Sequence, residues 1–310
     1  MAFGMAGAPA LAADKVKLAV GQLGFYDTLI PVYADENGYF KERGIDLEWV
    51  KTAGGAETAQ MLIANEVQFG IGIGVLSAVT TYAKGAPVRI VSSAMIGTPE
   101  TFWYVRADSK LRTVDDLNGA TIAYSRAGGG IHLTLLELAA YKNLKFKMVS
   151  AGDIAATRTQ VMTGQIDAGW SVPPFALDMA KKGEVRILFR GEMVEPLNGM
   201  SVRVNVANAN WLAKNRDVAR RFLMGYQRAI DWMFAEGRDE AIARFAKYNK
   251  LDPEFAREAA GFYKKEAISV APFKGLDKAV SLAVDHKMIK EPLTEAQKKE
   301  ILDVVYDPAS

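Results

Sequence analysis

Apolar residues along the first two thirds of the chain alternate between short β-type runs and helical repeats. Runs rich in β-branched residues, each followed within a few residues by an apolar helical repeat, predict strands alternating with helices. The first half has predicted strands at 16–20, 45–50, 67–72 and 88–92, with helices at 28–40, 57–64 and 75–83. This order is typical of a parallel sheet whose strands are connected by helical crossovers.

The same alternation restarts at residue 121. Further strands are predicted at 121–124, 145–149, 166–171 and 185–189, and β-rich runs at 101–105 and 200–204 flank this second unit. From residue 210 onward the pattern is almost wholly helical. We therefore predict two α/β lobes: a first lobe at 14–103, a second at 104–199, and a return to the first lobe with C-terminal helices at 200–310.

Two segments of the chain resemble each other. Residues 52–70 and 150–169 each combine a glycine turn, a helix that contains Gln60 or Gln160, and a strand that ends in glycine. The similarity favours two lobes of like construction. Loops at the carboxyl ends of parallel strands are where such sheets bind ligands, so we expect the two lobes to share a cleft.

A glycine-rich turn stands between a predicted strand and an apolar helix. Gly128, Gly129 and Gly130 follow Ser125 and precede His132. The first N–H groups of a helix lack intrahelical partners and carry partial positive charge, so such a turn is suited to bind an anion. A flexible surface turn is the alternative interpretation.

Composition excludes several functional classes. The 310 residues are 50% hydrophobic, and 38 basic against 36 acidic residues give a net charge of +2 without a basic stripe, so we expect no nucleic-acid partner. The chain has no cysteine and two histidines, which excludes disulfides, thiolate metal sites and a cysteine nucleophile. With only two histidines a histidine-rich zinc site is not expected either, so no metal is predicted. Gly70, Gly72 and Gly74 lack the spacing of a dinucleotide loop, so no cofactor is predicted.

The N-terminal residues 1–13 are small and apolar and end in Ala10-Leu11-Ala12-Ala13. This resembles the end of a secretory signal peptide and predicts a periplasmic protein without a lipid anchor. A plain disordered terminus is the alternative. Farther along, Asp115 and Asp116 form an adjacent acidic pair, but their turn-rich context favours a helix cap over a catalytic role.

Aromatic residues at predicted strand ends are candidates for lining the cleft. Tyr26, with its neighbour Phe25, and Trp170 are expected to contact a ligand. Along the strand that contains Phe102 and Trp103, side chains alternate, so one of the two is expected to face the cleft and the other the core.

Four segments together resemble a known family. They are residues 37–48 (NGYFKERGIDLE), 114–123 (VDDLNGATIA), 125–132 (SRAGGGIH) and 164–168 (GQIDA), and their order and spacing are similar to those of periplasmic solute-binding proteins of ABC importers. The group is the nitrate/sulfonate/taurine type, which includes binders of thiamine-pyrimidine precursors. The resemblance covers essentially the whole mature chain.

The resemblance implies a type II periplasmic-binding-protein fold, an α/β fold of two lobes with mixed, mostly parallel sheets that close on a ligand. It implies an inner-membrane ABC permease as partner, and we expect a monomer. The expected ligand-binding residues are Phe25, Tyr26, Asp27, Gly54, Gly55, Gly74, Val75, Leu76, Phe102, Ser125, Gly128, Gly129, Gly130, His132, Trp170 and Ser171. Many relatives have a Trp-Glu-Pro-like segment where this chain has Trp170-Ser171-Val172-Pro173, so a charged residue near the pocket is missing and a cationic ligand group is disfavoured.

These residues predict a binding protein and not an enzyme. We expect a small organic anion, a sulfonate or carboxylate that can be aromatic, with its charged group on the glycine turn. A neutral or cationic pyrimidine is the alternative, because no arginine is placed in the pocket; Arg126 and Arg158 either reach the cleft or lie on the surface. An enzyme on the same fold is a third possibility. Relatives that make the thiamine pyrimidine have a cysteine-bearing motif, which this chain lacks.

Overall fold

The computed structural model of the chain describes residues 13–21, 23–52 and 55–309. The predicted signal-peptide remnant lies outside the described residues except for Ala13, and Gly54 lies outside them as well. Within the described part, no helix has the length and apolar character needed to cross a membrane. The described residues also contain no group of three or more metal-ligating side chains.

The strands follow the predicted order with shifted ends. In chain order they are β1 (Asp14–Gly21), β2 (Ile45–Thr52), β3 (Phe69–Gly74), β4 (Val88–Ile96), β5 (Phe102–Arg106), β6 (Thr121–Tyr124), β7 (Lys147–Ser150), β8 (Gly169–Ser171), β9 (Val185–Arg190) and β10 (Ser201–Asn208).

The helices between the strands are α1 (Ile30–Glu36), α2 (Gly55–Ile63), α3 (Val75–Ala83), α4 (Gly130–Lys142), α5 (Ile154–Met162) and α6 (Leu177–Lys181). The C-terminal region is helical, as predicted, with α7 (Ala209–Leu212), α8 (Arg216–Phe234), α9 (Arg238–Asn249), α10 (Pro253–Ala260), α11 (Leu276–Asp285) and α12 (Glu295–Ile301). Helix α1 is shorter than the predicted 28–40. The Thr28 hydroxyl accepts the N–H of Phe25 in a turn before the helix, and Gly38 at φ +76° follows its end.

The first sheet has the strand order β2-β1-β3-β10-β4. Strand β1 pairs in parallel with β2 and β3, as the crossover pattern predicts. Strand β10 lies antiparallel between β3 and β4, because the chain returns to this sheet from the opposite direction. The carboxyl ends of β1 and β3 therefore lie side by side at one edge of the sheet.

A second group of strands lies between β4 and β10 in the chain. Strand β5 is the central strand of a β8-β5-β9 sheet and is antiparallel to both neighbours, while β6 and β7 form a parallel pair. An isolated bridge between Ile122 and Ala168 connects the pair to the segment before β8. The predicted lobe boundaries stay predictions.

The two similar segments pack in the same way. A Cβ atom on Gly70 would lie 2.6 Å from Leu62 and 2.8 Å from Thr58 of α2, and one on Gly169 would lie 2.6 Å from Val161 and 2.9 Å from Thr157 of α5. In both places only a glycine lets the helix lie against the strand, since a side chain would overlap it. The packing of a helix against the strand therefore explains why both segments have a glycine at this position.

The acidic pair at 115–116 lies in a 3-10 turn, Val114–Leu117, rather than in a cleft. Asp116 accepts the backbone N–H of Thr113 at 2.8 Å, and the two residues form a capping box. The predicted capping role is confirmed.

Candidate functional site

A cavity of about 140 Å³ lies between the strand ends of the first sheet and the loops that follow β6 and β8. A cavity of about 150 Å³ accommodates a benzene molecule, so this space suits a ligand built on one small ring or short chain. Its wall is formed by residues from both groups of strands: Gly21, Phe25, Asp27, Thr28, Ile30, Ile71, Gly72, Gly74, Ser77, Ala94, Thr98, Glu100, Thr101, Ser125, Arg126, Ala127, Gly129, Gly130, Ile131, Trp170, Val172, Arg203 and Tyr226.

The glycine turn is fixed by its contacts. The N–H of Gly128 donates to Nδ1 of His132 at 3.2 Å, and its carbonyl accepts the N–H of Ser77 in the first turn of α3 at 3.2 Å. Gly129 precedes α4 in an extended conformation and, with Gly130 and Ile131, lines the cavity. The amino end of a 13-residue helix therefore faces the cavity, where it favours an acceptor or anionic group.

Close approach between the two groups of strands depends on glycine at this point. A Cβ atom on Gly74 would lie 2.5 Å from the carbonyl oxygen of Gly128 and 2.7 Å from Cα of Gly129. Both neighbours are backbone atoms, which no rotamer change can move. Gly74 thus allows the loop after β6 to touch the start of α3 and to enclose the cavity.

His132 is a support for the turn and does not line the cavity. Burial, assisted by the charge of His286, lowers the pKa of its imidazole to about 4, so the ring is neutral at neutral pH. Because Nδ1 accepts the Gly128 N–H, the proton of the neutral ring is on Nε2. The ring packs against Tyr124 with a centroid distance of 4.3 Å.

An ion cluster forms another part of the cavity wall. Nη2 of Arg203 lies 2.8 Å from Oε1 of Glu100 and 3.0 Å from Oδ2 of Asp27. The side chains of Arg203, Asp27 and Glu100 are 15%, 11% and 3% exposed. Arg203 comes from β10, Asp27 from the loop after β1, and Glu100 from the segment between β4 and β5. We call these three residues the ion cluster.

The ionisation of the ion cluster follows from burial and pairing. Burial raises the pKa of Glu100, with Asp27 adding to the rise and Arg203 opposing it. Burial disfavours the charged form of Arg203, but the carboxylates of Asp27 and Glu100 outweigh it and raise the pKa of the guanidinium. Arg203 is therefore always charged, and two carboxyl groups compete for it.

The charged residues of the cavity wall differ in two respects from those expected from the sequence. No arginine was placed in the pocket from sequence, yet Arg203 lines it. The segment after Trp170 lacks the charged residue that many relatives have there, yet Glu100, which was not expected from sequence, lines the cavity beside the expected Asp27. One signal was present in the sequence: Arg203 lies between Val202 and Val204 in a strand pattern, where a lone charge in an apolar run needs a buried partner.

The aromatic residues divide between cavity and core. Phe25 and Trp170 line the cavity, and Trp170 is only 1% exposed. Tyr26 packs instead among core aromatic rings, 5.3 Å from Phe245, and its hydroxyl donates to the carbonyl of Met233 at 3.1 Å. Adjacent side chains of the loop point to opposite sides, so the expected contact of Tyr26 is made by its neighbour Phe25.

Phe102 and Trp103 are both fully buried, and neither lines the cavity. Nε1 of Trp103 donates to the carbonyl of Ala123 at 3.0 Å, and Phe102 packs against Phe262. The expectation that one of them faces the cleft differs from the structure because successive side chains of β5, on both faces of its sheet, are buried.

The remaining predicted residues have varied positions. Asp27, Gly74, Ser125, Gly129 and Gly130 line the cavity, whereas Gly128 does not. Val75 and Leu76 are buried in the first turn of α3, and the Ser171 hydroxyl donates to the carbonyl of Phe175. Gly55 is the first residue of α2.

A wider cleft of about 1110 Å³ lies outside the cavity. Phe25 and Arg126 line both spaces, whereas Arg158 lines only the outer cleft. Phe25 meets Phe175 edge to face at 5.9 Å, and Phe175 also lines the outer cleft. Of the two arginines considered from sequence, Arg126 is the one that lies at the boundary of the cavity.

Comparisons with known proteins identify one matching family and several relatives in the curated proteins. The family model described as NMT1/THI5 like matches residues 27–240. The protein YtlA of Bacillus subtilis is 24% identical over 94% of this chain and 83% of its own length. The Saccharomyces cerevisiae 4-amino-5-hydroxymethyl-2-methylpyrimidine phosphate synthase THI5 is 23% identical over 67% of this chain and 64% of its own length.

Among solved structures, the alkanesulfonate-binding protein SsuA from Xanthomonas axonopodis, bound to MOPS, superposes with a TM-score of 0.79. The match covers 95% of this chain and 100% of that one at 18% identity. At this identity the likeness shows a common fold.

Proposed function

This chain belongs to the NMT1/THI5-like family, and on that premise we propose that it is the extracytoplasmic solute-binding subunit of an ABC importer. The predicted family resemblance and the predicted periplasmic-binding-protein fold are both confirmed. The partner that we propose is an inner-membrane permease, which receives the ligand from a monomeric, periplasmic binding protein.

The observation that carries this proposal is the cavity whose wall includes residues from both groups of strands and from the loops that follow them. Gly74 ends β3 of the first sheet and Asp27 lies in the loop after β1, while Ser125 and Gly129 lie in the loop after β6 and Trp170 lies in β8. We propose that these groups are two lobes. A ligand that contacts both walls has its full set of contacts only when the lobes are closed, so it shifts the population toward the closed form.

For the ligand we propose a small organic molecule with an acceptor or anionic group, such as a sulfonate or carboxylate. The amino end of α4 at Gly129 and Gly130 supports binding of that group. Nε1 of Trp170 supports it too, since this buried donor has no hydrogen-bond partner among the described residues. The ring faces of Phe25 and Trp170 then cover the organic part.

A pyrimidine of the thiamine-precursor type is the second candidate. The cavity volume suits one ring, and the carboxyl groups of Asp27 and Glu100 suit a ligand that donates hydrogen bonds. The yeast relative is named a pyrimidine phosphate synthase. We propose binding without turnover for this chain: it has no cysteine, and the Nδ1 atom of His132 already accepts a hydrogen bond from the backbone of its own loop.

A thermal-shift screen of sulfonates, carboxylates, nitrate and pyrimidines tests the proposal. A true ligand raises the melting temperature as its concentration exceeds the dissociation constant. A compound that stabilises the protein and is recovered unchanged after incubation supports a binding role. Conversion of that compound to a product would contradict it.

Trp170→Ala is expected to weaken an organic ligand by about tenfold to a hundredfold, because the ligand loses a buried aromatic wall. Nitrate, which is too small to span that wall, is expected to change little. Isothermal titration calorimetry measures both, at a temperature where circular dichroism shows the variant folded. Trp49→Ala, at an exposed tryptophan of β2, is the control and should bind like the wild type. Equal losses for organic ligand and nitrate would contradict the role given to Trp170.

A further inference from the structure

Two carboxyl oxygens of the ion cluster are without a partner. Oε2 of Glu100 and Oδ1 of Asp27 are buried and have no hydrogen-bond partner among the described residues. Glu100 is 3% exposed, and both residues line the cavity. A buried oxygen without a partner costs free energy, so such groups in folded proteins are nearly always satisfied by protein, water or ligand.

Arg203 does not satisfy these two oxygens. One atom, its Nη2, meets both carboxyl groups through their other oxygens, Oε1 of Glu100 and Oδ2 of Asp27. When both carboxyl groups are ionised, the ion cluster contains two negative charges and one positive charge. In that ionised state the two unpartnered oxygens can only accept hydrogen bonds, and an anionic ligand group would be repelled from them.

We infer that the ligand carries an amino group, and that Glu100 and Asp27 are the residues that select it through Oε2 and Oδ1. The inference rests on the proposed solute-binding function and names the chemistry that the ligand must have. Arg203 acts as a positioning residue, since it holds the two carboxyl groups beside each other at the cavity wall.

The unpartnered Trp170 donor completes the pattern. Its Nε1–H can donate a hydrogen bond to an acceptor on the ligand, whereas the free oxygens of Glu100 and Asp27 can accept hydrogen bonds from N–H groups of the ligand. A ligand that combines an amino group with an acceptor fits both. An aminosulfonate, an amino acid with a short chain and an aminopyrimidine share this chemistry.

The test uses pairs of compounds that differ only in the amino group. The pairs are 2-aminoethanesulfonate and ethanesulfonate, 3-aminopropanoate and propanoate, and 4-amino-2-methylpyrimidine and 2,4-dimethylpyrimidine. In at least one pair we expect the amino compound to bind the wild type about tenfold to a hundredfold more tightly, as a hydrogen bond to a charged group contributes. Isothermal titration calorimetry gives both affinities, and the pair that binds identifies the source of the amino group.

Glu100→Gln then tests the residue. The amide retains an oxygen for Arg203 but places an NH₂ donor where Oε2 was, so the preference for the amino compound is expected to disappear. Asp27→Asn makes the same change at the other oxygen, which keeps the test valid if one variant does not fold. Glu66→Gln, at an exposed glutamate, is the matched control and should keep the wild-type preference.

The results distinguish failure of the amino-group inference from failure of the proposed solute-binding function. If the amine-free member of every bound pair binds as tightly as its partner, the inference is overturned while the solute-binding function stands. The same holds if Glu100→Gln and Asp27→Asn keep the full preference. A wild type that binds none of the six compounds overturns both the inference and the proposed function for these ligand classes.

Discussion

Arg203→Met is expected to lower the free energy of unfolding by about 3–5 kcal/mol, the cost of leaving a buried charge without its partner. Asp27 and Glu100 are 11% and 3% exposed, so water cannot replace the guanidinium that lies within 3.0 Å of both. Burial already raises the pKa of Glu100, so lowering the pH protonates this carboxyl group and removes its charge. The difference in the free energy of unfolding between the variant and the wild type is therefore expected to become smaller as the pH is lowered.

Urea unfolding at neutral and acidic pH measures this effect. Arg216→Met is the matched control, because Arg216 pairs with Asp303 at 2.6 Å while its own side chain is 52% exposed. A surface pair of this kind contributes about 0–1 kcal/mol. If Arg203→Met lowers the free energy of unfolding no more than Arg216→Met does, the ion cluster does not stabilise the fold as proposed.

Gly74→Ala is expected to weaken ligand binding by about tenfold to a hundredfold, the loss that follows when the binding-competent form becomes a minor one. The new Cβ would lie 2.5 Å from the carbonyl oxygen of Gly128, so the loop after β6 has to move away. That movement breaks the hydrogen bond from Ser77 N–H to Gly128 and opens the cavity. Gly74 itself has φ −59° and ψ 134°, which alanine adopts without strain.

Calorimetry with the stabilising ligand, combined with small-angle X-ray scattering, separates closure from folding. The variant is expected to keep the wild-type melting temperature without ligand and to remain expanded when ligand is added. Gly261→Ala is the control, because Gly261 lies outside the cavity wall and has φ −64° and ψ −17°, which alanine adopts without strain. Wild-type affinity in Gly74→Ala would show that this contact is not part of the closed state.

Much of the fold could be predicted because it depends on local patterns. The strand at Thr121–Tyr124 and the helix at Val75–Ala83 have the predicted ends, and the Asp116 cap was read from its turn. The glycine turn was also placed correctly between a strand and a helix. In each case the residues that decide the structure are neighbours in sequence.

The cavity wall was harder to predict because long-range packing decides it. Phe25 and Tyr26 are equivalent by pattern, and only the packing of Tyr26 against C-terminal aromatic rings turns Phe25 toward the cavity. The ion cluster joins residues separated by 73 to 176 positions, since it combines Asp27, Glu100 and Arg203. No local sequence pattern predicts a contact between residues so far apart. The charge of Arg203 within the apolar β10 pattern indicates only that this residue needs a buried partner.

A crystal structure with the most strongly stabilising compound tests the central claim, that this chain binds a small molecule in the cavity between Asp27, Trp170 and Gly129. We predict density for the compound between Asp27, Trp170 and Gly129, with its acceptor group at the amino end of α4. Density for the compound only in the outer cleft, with the cavity unchanged, would contradict the claim.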